Sequence, residues 1–210
     1  MGNVGLLYVG AGPVNGLMLI GRIPGKSAAI LNFFVGGVQV IFATLIILQA
    51  NNDQSTIFAA AGLCLFGFAY LYVGILQATG WSGVGLGWFS LFVAGCATVV
   101  GILQFTTLAN RVFGAIWLTW AVLWFLFFLV LGLGKTSLTL ATGWFTIFIS
   151  QVTATIPAIL LLTGNFESTK PHAVLVGGIA LLSFIGALVL GRARRPAVER
   201  TARVASSPVV

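Results

Sequence analysis

Residues 112 to 133 read VFGAIWLTWAVLWFLFFLVLGL, 22 residues without a charge, held between Arg111 and Lys135. At about 1.5 Å of rise per residue such a run makes a helix roughly 33 Å long, enough to cross the ~30 Å hydrocarbon core of a bilayer. Six further apolar runs lie at about 4 to 20, 27 to 49, 57 to 78, 84 to 105, 138 to 163 and 172 to 191, separated by charge, Pro, Asn or Gly clusters. The ten-residue alternation that an outer-membrane barrel needs is missing, and backbone groups in lipid must be satisfied within the chain. The expected fold is an all-α integral membrane protein, a bundle of seven transmembrane helices spanning 1–191 with a tail at 192–210.

Composition agrees. Of 210 residues 59% are hydrophobic and 6% charged, where a soluble domain carries about 25% charged residues. Too little polar surface exists to cover a particle in water, and seven spans leave no room for a separate soluble domain. The net charge of +7 does not point to nucleic acid, because Arg192, Arg194, Arg195, Arg200 and Arg203 crowd into the C-terminal stretch. Anionic lipid is the expected partner of that stretch. Val198 to Val210 is polar and small-residue-rich and is expected to lack fixed structure. Cys64 and Cys96 fall inside apolar runs and read as packing residues. The N-terminus lacks the basic region and cleavage site of a removable signal peptide, so residues 4 to 20 are expected to remain as a span.

Basic residues are retained on the cytoplasmic side of inner-membrane proteins. Counted loop by loop, one side holds Arg22, Lys26, Lys135 and the five tail arginines, and the other holds Arg111 and Lys170. This split places the N-terminus outside, the C-terminus in the cytoplasm, and Asp53 and Glu167 outside.

No Asp, Glu, Lys or Arg falls at mid-membrane depth in the seven runs. Ion-coupled transporters and proton pumps usually keep such groups, so coupled transport is disfavoured, and the last span has no lysine to carry retinal. His172 stands alone at the start of that span. A metal cluster, a bis-histidine haem or a Cys/His nucleophile has nothing to be built from, and no catalytic or cofactor-binding residue is assigned. What remains is aromatic and neutral polar. Phe113, Trp117, Trp120 and Trp124 recur at spacings of four, three and four, one face over roughly 16 Å of helix, with Leu123 beside them. Phe66 and Tyr70 share a face of the third span. These rings either pack the core or line a path, and a buried indole N–H needs an acceptor in either case. Pro13 deprives the Val9 carbonyl of its usual helical partner, Pro157 does the same to Thr153, and Asn15 and Gln151 lie close by. Gly12 with Gly16, Gly36 with Gly37, and Gly83 with Gly87 read as close helix contacts.

Several motifs in order, LLYVG (6–10) with VNG (14–16), NFFVGG (32–37), LFGFAYLY (65–72), WFSLFV (88–93), IWLTWAVLW (116–124), LGK (133–135) and IPA (156–158), resemble the urea/amide channel family AmiS/UreI over Val4 to about Leu162. The resemblance implies bacterial inner-membrane channels for urea and short-chain amides, assembled as a homo-hexamer with a pore through each protomer and serving a cytoplasmic amidase or urease. It further implies pore-lining roles for Phe66, Tyr70, Trp117, Trp120, Leu123 and Trp124, with Phe113 standing where acid-gated members carry a tryptophan and Asn15 at a pore-side position. Three departures matter. The loop 51 to 56, NNDQST, is short where acid-gated members have a long His- and carboxylate-rich one. The neutral Ile149, Ser150 and Gln151 stand near a family glutamate, and Thr155 and Ile159 replace tryptophans. The seventh span and basic tail extend past the six-span acid-gated channels. The expected function is therefore passive permeation of small neutral amides or urea without acid gating, closer to the amide branch. A seven-helix sensor and a coupled amide transporter are the alternatives, and an enzyme is not expected.

Overall fold

The computed structural model describes residues 2–193, and the tail stretch Val198–Val210 lies outside them. Every regular element among the described residues is helical. Helix α3 (Gly25–Gln49) and α4 (Gln54–Thr79) form a hairpin whose turn puts Asn51 and Asn52 in the left-handed region, at φ 46° and 62°. Short amide side chains tolerate that conformation better than other non-glycine residues do. Asp53 then caps α4 by accepting from the Thr56 N–H at 2.9 Å. Helix α5 (Val84–Thr106) leads to α6 (Arg111–Phe127), which Asn110 caps through the Phe113 N–H at 3.2 Å. A π-helical turn at Phe128–Gly132 prolongs α6.

The next crossing is α7 (Thr139–Ser150), a π turn at Gln151–Thr155 and α8 (Ile156–Leu162), run together as one rod. The π turn resolves the proline expected to disrupt it, because the Ile156 N–H reaches back to the Gln151 carbonyl just before Pro157. Helix α9 (Lys170–Ala193) packs on α6 and α7. Six helices among the described residues are long and apolar enough to cross a membrane. Their outer faces are apolar, with Phe34, Leu48, Val174 and Leu182 largely exposed, as lipid-facing side chains are.

The segment at 4 to 20 departs from expectation. It is two short helices, α1 (Gly2–Val9) and α2 (Pro13–Leu19), with a break at residues 10–12. Three successive i→i−3 bonds tighten the chain there, ending with Gly12 N–H to the Val9 carbonyl at 2.9 Å. Pro13 brings no N–H and Val14 N–H turns to Ala11 instead of Gly10. Side chains from other helices take up the slack. Tyr70 Oη donates to the Val9 carbonyl at 3.2 Å and Gln151 Nε2 to the Gly10 carbonyl at 3.1 Å. The Val9 carbonyl, expected to lose its helical partner, thus has two donors. Asn15 and Asn32 exchange reciprocal amide bonds at 2.9 and 2.7 Å, and Asn32 also donates to the Ala28 carbonyl.

Small residues let the rods approach. A Cβ at Gly16 would lie 2.6 Å from the Gly143 carbonyl oxygen, and one at Gly36 2.8 Å from that of Gly67. Gly87 meets Gly132, whereas Gly37 has open space around it, so only one of that adjacent pair makes a contact. Gln39 on α3 is fully buried and neither amide atom has a partner within the protein; nothing in the structure explains it.

Candidate functional site

Helix α6 turns one face to α5, where Gly114 receives Phe105 and Gly101 receives Leu118. The opposite face carries the aromatic stripe toward α4. Phe66 is its hub: ring centroids lie 4.7 Å from Trp120, 5.9 Å from Trp117 and 5.8 Å from Trp124. The Trp120 contact is edge-on, as is the 5.1 Å contact between Trp117 and Trp120, the arrangement aromatic quadrupoles favour. Gly62, one turn before Phe66, makes room for the Trp117 ring; a Cβ there would fall 2.9 Å from it.

The indoles differ in their polar ends. Trp120 Nε1 donates to Thr153 Oγ1 at 2.9 Å, and that hydroxyl donates to the Ile149 carbonyl at 2.7 Å, so the Thr153 proton is spent and one of its two lone pairs is taken. Trp124 Nε1 is buried and has no hydrogen-bond partner. Ser150 Oγ donates to the Thr146 carbonyl and keeps lone pairs free to accept. Tyr70 is in the same position after its bond to Val9.

Two cavities adjoin this cluster. The smaller, about 80 Å³, is walled by Asn15, Tyr70, Leu123, Trp124, Ser150 and Thr153 among others, and lies toward the bundle end bearing loops 20–24 and 133–135. That volume admits several waters or one small solute. The wider, about 750 Å³, opens toward the end bearing loops 50–53 and 107–110, with Gly62, Cys96, Asn110, Phe113 and Trp117 in its wall. Val9, Phe66 and Trp120 line both and so stand between them. No Asp, Glu, Lys, Arg or His lines either cavity.

Of the eight residues singled out from sequence, Asn15, Tyr70, Leu123 and Trp124 meet at the smaller cavity, Phe113 and Trp117 at the wider, and Phe66 and Trp120 at both. Thr153 as acceptor for Trp120 and Asn32 as the holder of Asn15 were not legible as such, although both are neutral polar groups inside apolar runs, a cue worth reading. Thr56 and Ser55 line the wider cavity, and their hydroxyls donate to Asp53 beside it at 2.5 and 2.7 Å, which holds its carboxyl well below the usual carboxylate range, at about 2.

Residues 1–165 match the family described as AmiS/UreI family transporter. A Rhodococcus erythropolis protein whose name reads transporter protein AmiS2 is 53% identical over 201 residues, 95% of this chain and 97% of that one. A Mycolicibacterium smegmatis protein named for the transport of amidate substrates is 49% identical over 193 residues, 91% of each. Among solved structures, the Helicobacter pylori urea channel in its closed state is 31% identical with a TM-score of 0.71, covering 80% of this chain and 100% of that one.

Proposed function

The chain belongs to the AmiS/UreI transporter family, and from that premise we propose that it is a passive channel for small neutral amides and urea. It is an all-helical, multi-pass membrane protein of a transporter family, not an enzyme. The observation that carries the passive reading is the pair of cavities meeting at Val9, Phe66 and Trp120 with no Asp, Glu, Lys, Arg or His in either wall. Without a carboxylate, histidine or basic side chain on the path, solute movement has no ion or proton site to couple to.

A neutral amide leaving water for a wholly apolar medium loses roughly 4 to 8 kcal/mol of hydrogen bonding. The smaller cavity supplies replacements in a suitable ratio. A turn of the Trp124 ring would bring its buried, partnerless Nε1 to the carbonyl oxygen, Ser150 Oγ and Tyr70 Oη offer acceptors for the NH₂ group, and Leu123, Phe127 and Val73 line the remainder. A solute with one amide end and a short apolar tail matches that wall better than urea, which carries a second NH₂ group. Hydrated ions find no charged or carbonyl ring to replace their shells.

In the membrane, the broken segment α1–α2 makes the first of seven crossings, the N-terminus lies outside and the basic C-terminus in the cytoplasm, in the bacterial inner membrane. The wider cavity then opens outward and the smaller one inward. Protomers form a six-membered ring, and a cytoplasmic amidase or urease consumes what enters. Gating by external acid is not part of this reading. The loop 50–53 is short, and its carboxylate Asp53 stays ionised far below neutral pH.

Vesicles of purified protein test the reading by stopped-flow uptake. Acetamide and urea should enter faster than through protein-free vesicles, with rates that vary little between about pH 5 and 7.5. Uptake that stops when a proton gradient is collapsed would replace the channel by a coupled transporter.

A further inference from the structure

The family match ends at residue 165, yet the chain just beyond it grips the start of α6. Ser168 Oγ accepts from the Val112 N–H at 3.1 Å, a second cap beside Asn110. Phe166 packs on Phe113 with centroids 5.5 Å apart and planes at 51°. Phe113 lines the wider cavity together with Leu108 and Asn110, whereas Phe166 does not line it. Phe166 therefore stands behind Phe113 and supports it.

The segment 163–169 is itself held. Asn165 N–H bonds the Leu160 carbonyl at 2.8 Å and its side chain bonds Thr163. His172 N–H bonds Thr169 Oγ1 at 3.3 Å, and the His172 ring lies 3.1 Å from the Glu167 carbonyl oxygen. Beyond it α9 is anchored along the bundle by Phe184 against Phe145 at 5.4 Å and by Gly191 against Ala141. Ala173, Ala180 and Ala187, seven residues apart, are buried along the same contact face. On the other side Gly114 abuts Phe105, where a Cβ would lie 2.6 Å away, so the first turn of α6 has no room to swing toward α5. The Phe113 ring is thus fixed between its own helix and an element outside the family match.

We infer that Phe166, carried by the segment joining α8 to α9, is a positioning residue that holds Phe113 in the wall of the wider cavity and thereby limits the size of amide admitted. The inference rests on the permeation reading above. Removing the Phe166 ring frees Phe113 to tilt away from the cavity, which widens the mouth for a longer alkyl chain and leaves the narrower cavity untouched.

The test is the ratio of butyramide to urea permeability in vesicles holding wild type, Phe166→Ala, Phe166→Tyr or Ser168→Ala. Phe166→Ala should raise the ratio about threefold with urea flux at the wild-type level, the order of change that one aromatic pair contact supplies. Phe166→Tyr keeps the ring and should keep the wild-type ratio, and Ser168→Ala should move it less than Phe166→Ala. A folded Phe166→Ala protein with wild-type urea flux and an unchanged ratio overturns the inference and leaves the channel reading standing. If that variant does not assemble, Phe166→Leu carries the same comparison, and an unchanged ratio there overturns it equally. Wild-type vesicles that pass neither solute faster than empty ones bring down the channel reading and this inference together.

Discussion

The wider and narrower cavities share a wall but are built on different principles. The wider one, about 750 Å³, is edged by small residues such as Ala59, Ala60 and Gly62 and by polar groups at helix ends. The narrower one, about 80 Å³, is enclosed by large rings, and its polar atoms come from the middle of helices. A roomy, wettable space makes little demand on a solute, whereas a tight apolar space with a few unspent donors and acceptors makes the demand that sets rate and choice. Recognition of the amide group should reside in the narrow cavity and at its border, and the wide one should act as an antechamber whose mouth, walled by Phe113, screens solutes only by size.

Substitution at the border tests this contrast most severely. Trp120→Ala removes the ring between the cavities, the edge contact with Phe66 and the bond to Thr153, and should cost about 3 to 5 kcal/mol of stability as a large-to-small core change. If it still assembles, its vesicles should lose discrimination between urea and butyramide; wild-type discrimination would return the stripe to a packing role. Next in size, Gly62→Leu drives a side chain into the Trp117 ring and should cost about 1 to 3 kcal/mol by overpacking, read as a lowered thermal midpoint together with slower uptake of all solutes.

Within the narrow cavity, Tyr70→Phe leaves the Val9 carbonyl its bond from Gly12 and should cost about 0.5 to 1.5 kcal/mol. Amide uptake should fall with it, and unchanged uptake would mean that Tyr70 Oη is structural only. The smallest effect belongs to the antechamber rim. Ser55→Ala removes one of the hydroxyls that depress the Asp53 carboxyl, so that carboxyl should titrate at higher pH than in wild type. Because the folded value is about 2, the cap's contribution is present above the ordinary carboxylate range and fades only as pH falls toward that value. Uptake between about pH 5 and 7.5 should therefore be the same in variant and wild type, and an acid-stimulated rate over that range would overturn the ungated reading and point to a group other than Asp53.

The aromatic stripe on α6 was legible because spacing along one helix maps directly onto one face. Its division was not: roughly 16 Å of helix passes two cavities, so Phe113 and Trp117 look into one and Trp124 into the other. Pro13 announced a disturbance in the first segment, but the break into two helices depends on Gly10 and Gly12 lying against Thr155 and Ser150 of the rod they pack on. The donor that satisfies the Gly10 carbonyl comes from Gln151, 141 residues away. Likewise Asn15 stood out as a polar residue in a span, and its amide turned out to be engaged by Asn32 of another helix.

Read alone, the sequence determined the solvent of this protein and the shape of its parts. A chain with 6% charged residues cannot cover itself in water, and uncharged runs of this length in hydrocarbon must close their hydrogen bonds as helices. It also determined that any path between those helices is free of charge. Only the tertiary structure decided which polar groups are spent and which are left over. Thr153, Asn32 and the carbonyls at the break are engaged by partners on distant helices, while Trp124 Nε1 is not. Hydropathy and periodicity are properties of single segments, but whether a donor meets an acceptor depends on how two segments dock, and that docking leaves the narrow cavity its particular set of groups.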